Sequence, residues 1–335
     1  MQLKITHDTC YDYAPAVDNA QHMCYLQPGV MPSQTLMGHL LHVEPEPAQL
    51  VATQDVYGNT RHFFCLQNPH TQLRVTSQSW VDTRVVTAPD STIRWELVRD
   101  QFRYHAGARF DAAADFVFAS PYVPRHGDFA AYARPSFKDG VPLALAARDL
   151  MRRIHTDFKY ESQSTQVNTP ALQALAQRKG VCQDFAHIMI ACLRALGLPA
   201  RYVSGYLLTQ PPPGQPRLVG SDASHAWVSV YMPDLVDLPP AQRWLDFDPT
   251  NNRQGWGSPG QDYVTVATGR DFADVSPMRG VIHGGASHTL TVGVTVAPLD
   301  EHTGMELSSA GDSAPSQSQS QSQSQSQGQS QSQGF

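Results

Sequence analysis

An α+β fold is predicted for this 335-residue chain by three features of its sequence. Its first quarter alternates apolar and polar residues with period two, and its middle carries apolar residues at helical spacing. Beyond the helices, short runs rich in β-formers return. With 41% hydrophobic and 16% charged residues, the chain has the composition of an ordinary globular protein, and its length suits about two domains.

The elements follow in order. Between Met1 and about Thr83, the runs QLKIT, TLMGHLLHVEP, QLVATQD and LRVTSQSWVDTRVV predict antiparallel strands, with little helix. The Gly58-Asn59 pair in VYGNTRHFF marks a hairpin turn. From about Ala88 to Gly140 the chain is rich in Pro, Gly and aromatics and reads as a mixed connector. In VPLALAARDLMRRIHTDF, Leu143, Ala147, Leu150 and Ile154 share a helix face. Thr169-Pro170 predicts a second helix, with Thr as N-cap and Pro at the first position, running through ALQALAQRK to Gly180. A third helix starts at Cys182, buries Phe185, Ile188, Met189, Cys192, Leu193 and Leu196, and stops at Gly197 and Pro199.

ARYVSGYLL, HAWVSVYM and RWLDFDP then read as strands, the first two separated by the proline-rich loop QPPPGQP. GVIHGGASHTLTVGVTVAP reads as a closing pair of strands. The resulting division is a β-rich region 1–115, a connector 116–140, a core with closing strands 141–297, and a tail 298–335. The tail ends in a Ser-Gln repeat with almost nothing apolar to bury, so it is expected to be disordered.

A net charge of −6 and the lack of any Lys or Arg run argue against nucleic acid as a partner. Cys10, Cys24, Cys65, Cys182 and Cys192 are odd in number and scattered, with no C-x-x-C pair, so neither a disulfide framework nor a zinc knuckle is indicated. The opening MQLKITHDTCYDY lacks the apolar region of a signal peptide, and no apolar run reaches the length of a membrane span. The expected compartment is the cytoplasm, with no membrane association. No H-E-x-x-H or comparable spacing of the 14 histidines suggests a metallohydrolase, and no cofactor is implied.

The chemistry centres on GVCQDFAHIMIACLRALGLPARYVSGYL. Cys182 stands two residues past Gly180 at the start of a helix, where the helix dipole stabilises a thiolate. The same position also suits a small apolar filler. A thiol nucleophile needs an imidazole to share its proton and a polar group to orient that imidazole. His187 lies five residues further along the helix, rotated by about 140° from Cys182, and reads as structural. In HAWVSVYM, alternation sends Ala226, Val228 and Val230 to the core and puts His225, Trp227, Ser229 and Tyr231 on the other face. In the next strand Trp244, Asp246 and Asp248 share a face, and spacing alone leaves open which carboxylate would meet the imidazole.

GVCQDFAH, SHAWVSVY and LDFDPTN, in that order, resemble the transglutaminase-like superfamily. ITHDTCYDYAPAV with DVYGN resembles the N-terminal β domain of its bacterial members, and HGGASHTLTVGVTVAP resembles their closing strands, so the likeness spans roughly residues 1–297. The resemblance implies a papain-like core, a cysteine helix packed on an antiparallel sheet. It implies Cys182 as nucleophile, His225 as general base and acid, and Asp248 as the orienting acid, because the family's acid directly precedes proline; Asp246 is the fallback. The Cys182 backbone N–H would serve as one oxyanion donor, with Tyr160, Gln177 and Trp227 as candidates for the second. The implied activity is acyl transfer on peptide or protein amides. Hydrolysis by a cysteine peptidase or amidase is placed ahead of cross-linking by a transglutaminase, and a non-catalytic peptide-binding module is the reading outside the enzymes.

Overall fold

A computed structural model describes residues 1–87, 89–107, 110–161, 169–209, 224–285, 287–300 and 306. The QPPPGQP loop and the Ser-Gln repeat lie outside the described residues.

The first sheet is organised by one long strand, β1 (Gln2–Cys24), joined by β2 (Gln34–Glu44), β3 (Gln49–Gln54), β4 (Thr60–Leu66) and β5 (His70–Thr83) in the order β2-β5-β1-β4-β3. Every pairing in it is antiparallel. Period-two alternation buries Leu3 and Ile5, while Leu73, Val75 and Phe64 fill the same sheet's interior. The Gly58 turn joins β3 to β4 as expected, with Gly58 at φ +83°. Asp55 holds its tip by accepting the backbone N–H groups of Tyr57 and Asn59, both at 2.9 Å.

Three helices follow: α1 (Trp95–Gln101), α2 (Gly127–Ala133) and α3 (Leu143–Asp157). The segment read as a connector is thus part of the main core, where Val98 and Phe129 are fully buried. The α3 stripe of Leu143, Ala147, Leu150 and Ile154 is buried throughout. A two-residue strand β6 (Lys159–Tyr160), helix α4 (Ala171–Gln177) and the matching β7 (Lys179–Gly180) lead into α5 (Cys182–Ala195). Here α4 begins one residue later than its Thr-Pro signal suggested. Pro170 itself is the extended N-cap, and left-handed Arg178 (φ 54°) ends the helix two residues before Gly180.

The second sheet contains β8 (Ala200–Leu207), β9 (Ser224–Tyr231), β10 (Trp244–Asp248), β11 (Arg253–Trp256) and β12 (Tyr263–Gly269), in the antiparallel order β11-β10-β9-β8-β12. Helix α5 packs on it through the expected stripe, but α5 is also covered by α2, α3 and α4. Burial therefore runs all round the helix from Asp184 to Arg194. After the short α6 (Phe272–Val275), strands β13 (Met278–Gly284) and β14 (Ser287–Pro298) return to the first sheet and pair with β1. The closing strands, expected with the core, instead complete the N-terminal sheet by pairing with the other side of β1. Alternation identified them as strands but carried no information about their partner.

The two sheets are latched together by polar side chains. Gln34 exchanges two hydrogen bonds with the backbone of Thr265, each 2.8 Å, and Asn59 does the same with Thr268 at 2.8 Å. Among the described residues no helix is long and apolar enough to cross a membrane.

Candidate active site

The mouth of α5 is built by a backbone constraint. Asp184, buried in the first turn, accepts the N–H of Val181 at 2.8 Å and caps the helix. Its carboxylate lies so close to Gly180 that a Cβ there would stand 2.6 Å from Asp184 Oδ2, so glycine is required. The parallel pairing of Tyr160 with Gly180, continued by the Glu161 N–H to the Gly180 carbonyl at 3.0 Å, then fixes the approach to the cysteine. Cys182 follows as the first helical residue, half-buried, with its backbone N–H among those the helix leaves without an intrahelical partner. This is where a negative sulfur or a developing oxyanion is stabilised.

Strand β9 brings the imidazole. His225 is buried and hydrogen-bonded to Cys182, and its Nε2 donates to Asp248 Oδ2 at 2.7 Å. Nε2 being used for the carboxylate, Nδ1 is the ring nitrogen left to Cys182. Burial pushes the imidazole toward its neutral form, but the hydrogen bonds and charges of Asp248 and Cys182 outweigh it and raise His225 well above the ordinary histidine value.

Asp248, at the end of β10, is fully buried and receives five donors. Oδ2 accepts from His225, from the Tyr263 hydroxyl at 2.7 Å and from Asn251 Nδ2 at 2.7 Å. Oδ1 accepts the backbone N–H groups of Thr250 at 2.8 Å and Asn251 at 3.2 Å. Burial alone would disfavour its charge, yet these bonds hold its carboxyl below the usual aspartate value. Asp246, two residues earlier on the same face, meets Ser229 and sits near Arg201 instead, away from the imidazole. Burial pushes Asp246 up to about 7.

The three expected residues are therefore brought into one hydrogen-bonded chain. The surroundings differ from expectation in one respect. The face carrying His225, set opposite the core-facing Ala226, Val228 and Val230 in the sequence, is buried as well: Trp227 is fully buried with Val203 and Tyr263, and Tyr231 with Trp244. A Cβ at Gly205, which pairs with His225 across the strands, would stand 2.6 Å from the Trp227 ring, so the small residue makes room for the indole beneath the histidine.

Among the second-donor candidates, Trp227 is sealed inside, Tyr160 is half-exposed with its ring edge-on to Phe185, and Gln177 ends α4 in solvent. His187 takes no part in the chain. It is buried, stacked on Tyr122 and accepting the N–H of Phe272 at 3.2 Å. Tyr263 and Asn251 were missed. Tyr263 comes from β12 at the far edge of the sheet, and only the Asn three residues after Asp248 in DPTN offered a local sign of a turn folding back on the acid. No group of three or more His, Cys, Asp or Glu among the described residues is placed to hold a metal ion.

Comparison with known proteins agrees with this architecture. The family model described as the transglutaminase-like superfamily matches residues 131–249, and that of the bacterial transglutaminase-like N-terminal region matches residues 3–82. The chain belongs to the transglutaminase-like superfamily, with a papain-like core and an N-terminal β domain. An uncharacterized protein of Mycobacterium tuberculosis H37Rv is 39% identical over 303 residues, which is 89% of this chain and 93% of the relative. A protein-glutamine γ-glutamyltransferase of Pseudomonas aeruginosa is 35% identical over 175 residues, covering 51% of this chain and 22% of that protein. The fold is shared with a solved structure from Cytophaga hutchinsonii, described as a candidate cysteine protease. That match has a TM-score of 0.65 and 22% identity, and covers 96% of this chain and 95% of the other. The superfamily includes both cysteine peptidases and transglutaminases.

Proposed function

We propose that the protein is a thiol-dependent acyl-transfer enzyme acting on peptide or protein amides, with Cys182 as nucleophile, His225 as acid and base, and Asp248 as orienting acid. The observation that carries this reading is the hydrogen-bonded chain from Cys182 through His225 to Asp248 at a helix N-terminus.

The raised proton affinity of His225 keeps the imidazole charged beside the sulfur, and the helix start adds a second positive neighbour. The Cys182 thiolate attacks the amide carbonyl carbon, forming the C–S bond, while the carbonyl oxygen takes up negative charge near the Cys182 N–H. His225 delivers its proton to the departing nitrogen, the C–N bond breaks, and a thioester remains. The neutral imidazole then takes a proton from the acceptor as that acceptor attacks. The C–S bond breaks and the thiolate–imidazolium pair is restored. Asp248 keeps Nε2 engaged throughout, so Nδ1 stays aimed at the sulfur.

With water as acceptor the product is a carboxylic acid, and this hydrolytic reading comes first: Cys182 is only half-buried and Tyr160 beside it is half-exposed, so water has access. An amine acceptor is the second reading, supported by the identity to the Pseudomonas aeruginosa γ-glutamyltransferase. Incubation with a peptide library, with and without a labelled primary amine, followed by mass spectrometry, tests both. Shortened peptides or free acids are expected with wild type and not with Cys182→Ala. Label on glutamine side chains would favour the second reading, and the absence of any Cys182-dependent product would reject both.

A further inference from the structure

Where the two sheets meet, away from the cysteine, the surface opens into a pocket of roughly 350 Å³. Three of its nine lining residues are arginine, whereas Lys and Arg together supply only 24 of the chain's 335 residues. The arginines converge from distant parts of the sequence: Arg61 from β4, Arg270 from the end of β12 and Arg279 from β13. Tyr25 and Tyr57 add aromatic walls.

The charges do not cancel locally. Arg270 is neutralised by Asp274 through two bonds of 2.9 Å. Asp55, the other acid lining the pocket, spends its oxygens on the turn amides of Tyr57 and Asn59 and on the Asn59 side chain. Among the described residues Arg61 and Arg279 make their hydrogen bonds to neutral partners and form no ion pair, although the Arg279 charge also reaches Asp274 through space. Arg61 Nε donates to Thr53 Oγ1, and Arg61 also bonds Tyr25. Arg279 Nη1 donates to the Ala273 carbonyl and Nη2 meets the Met23 sulfur. Each guanidinium carries five N–H donors in a planar fork that matches a carboxylate or phosphate, so both retain donors facing solvent or a ligand.

We propose that this pocket is a binding site for a small oxyanion, phosphate- or carboxylate-bearing, held by Arg61 of β4 and Arg279 of β13 at the edge of the first sheet that faces Arg270 and Asp274. It is distinct from the reacting centre. Arg194 Nη2 bonds the Arg270 carbonyl at 2.6 Å, and Arg194 lies twelve residues, roughly 18 Å, along α5 from Cys182. The ligand therefore stabilises the folded chain by binding it and leaves the cysteine chemistry alone.

The test is thermal unfolding of the full chain with inorganic phosphate or glutarate, at ionic strength held constant with sodium chloride. A rise in melting temperature of about 2–6 °C that saturates is expected with at least one of the two, and which one it is identifies the head group. General salting effects of phosphate grow without saturation and are shared by all variants. Arg61→Gln and Arg279→Gln, each measured against its own ligand-free baseline, are expected to lose the saturable rise while keeping wild-type iodoacetamide reactivity at Cys182. No saturable rise with either anion, or an undiminished rise in both variants, overturns the proposal. Neither result touches the acyl-transfer reading.

Discussion

Two carboxylates on one face of β10 have opposite fates. Asp248 receives five hydrogen-bond donors and is held as an anion against His225, whereas Asp246, two residues away and equally buried, has Ser229 and a more distant Arg201 and is pushed up to about 7. Burial acts on both alike, so the difference lies in the donors. The turn after β10 folds Thr250 and Asn251 back onto Asp248, and β12 contributes Tyr263. Strand periodicity equates the two positions; the neighbours separate them.

The largest expected effects lie at the chain that Asp248 serves. Cys182→Ala and His225→Ala should each lower kcat/KM on a cleaved peptide by roughly 1,000-fold or more, and the double variant should be little worse than either, because they act as one unit. Additive losses would mean that the two residues do not share a step.

Asp248→Asn should cost on the order of 100-fold or more in kcat, while Asp246→Asn should stay within about threefold of wild type. Asp248 is a cause of the raised His225 value, so its replacement should let the imidazole lose its proton at lower pH. The alkaline limb of the kcat/KM profile should then move down toward 6.5, the ordinary histidine value. A profile unmoved by Asp248→Asn, or a larger loss in Asp246→Asn, would exchange the roles of the two residues.

Stability should divide them with opposite sign. Asp246 has a raised folded-state value, so the native state binds its proton more tightly than the unfolded chain, and stability is lost as pH rises from about 4 to about 7. Asp246→Asn should remove this loss and gain stability relative to wild type between pH 5 and pH 8, on the order of 2–3 kcal/mol by urea denaturation. Asp248 has a lowered value, so its contribution is present above the unfolded aspartate value and is lost as pH falls below it. Asp248→Asn should destabilise at neutral pH by about 3 kcal/mol. Equal pH dependence in the two variants would erase the distinction. Among the changes at the Asp248 chain itself, the smallest effect should come from Tyr263→Phe, which removes one of five donors: a loss of about tenfold in kcat with KM little changed.

Much of the arrangement was legible in the sequence because it is local. The cysteine at a helix start, the period-two faces of HAWVSVYM and LDFDP, and the Gly197 stop all follow from backbone geometry over a few residues. The choice of Asp248 over Asp246 needed the family's Asp-Pro pattern, because the donors that decide it come from a turn and from a strand fifteen residues away. Non-local pairing was the least legible. Nothing in HTLTVGVTVAP says that it pairs with residues 3–13 rather than with the second sheet, and nothing in the apolar run of β9 says that its polar-looking face is also covered.

The most direct measurement is the order in which the five cysteines react with iodoacetamide in the native protein near neutral pH, read by peptide mapping after short exposure. Cys182 should be carboxamidomethylated well ahead of Cys10 and Cys65, with Cys24 and Cys192, whose thiols burial holds above their ordinary values, slowest of all. His225→Ala should slow the reaction of Cys182 by roughly tenfold or more without changing the others. Labelling of Cys10 or Cys65 ahead of Cys182, or a Cys182 rate unchanged by His225→Ala, would contradict the account.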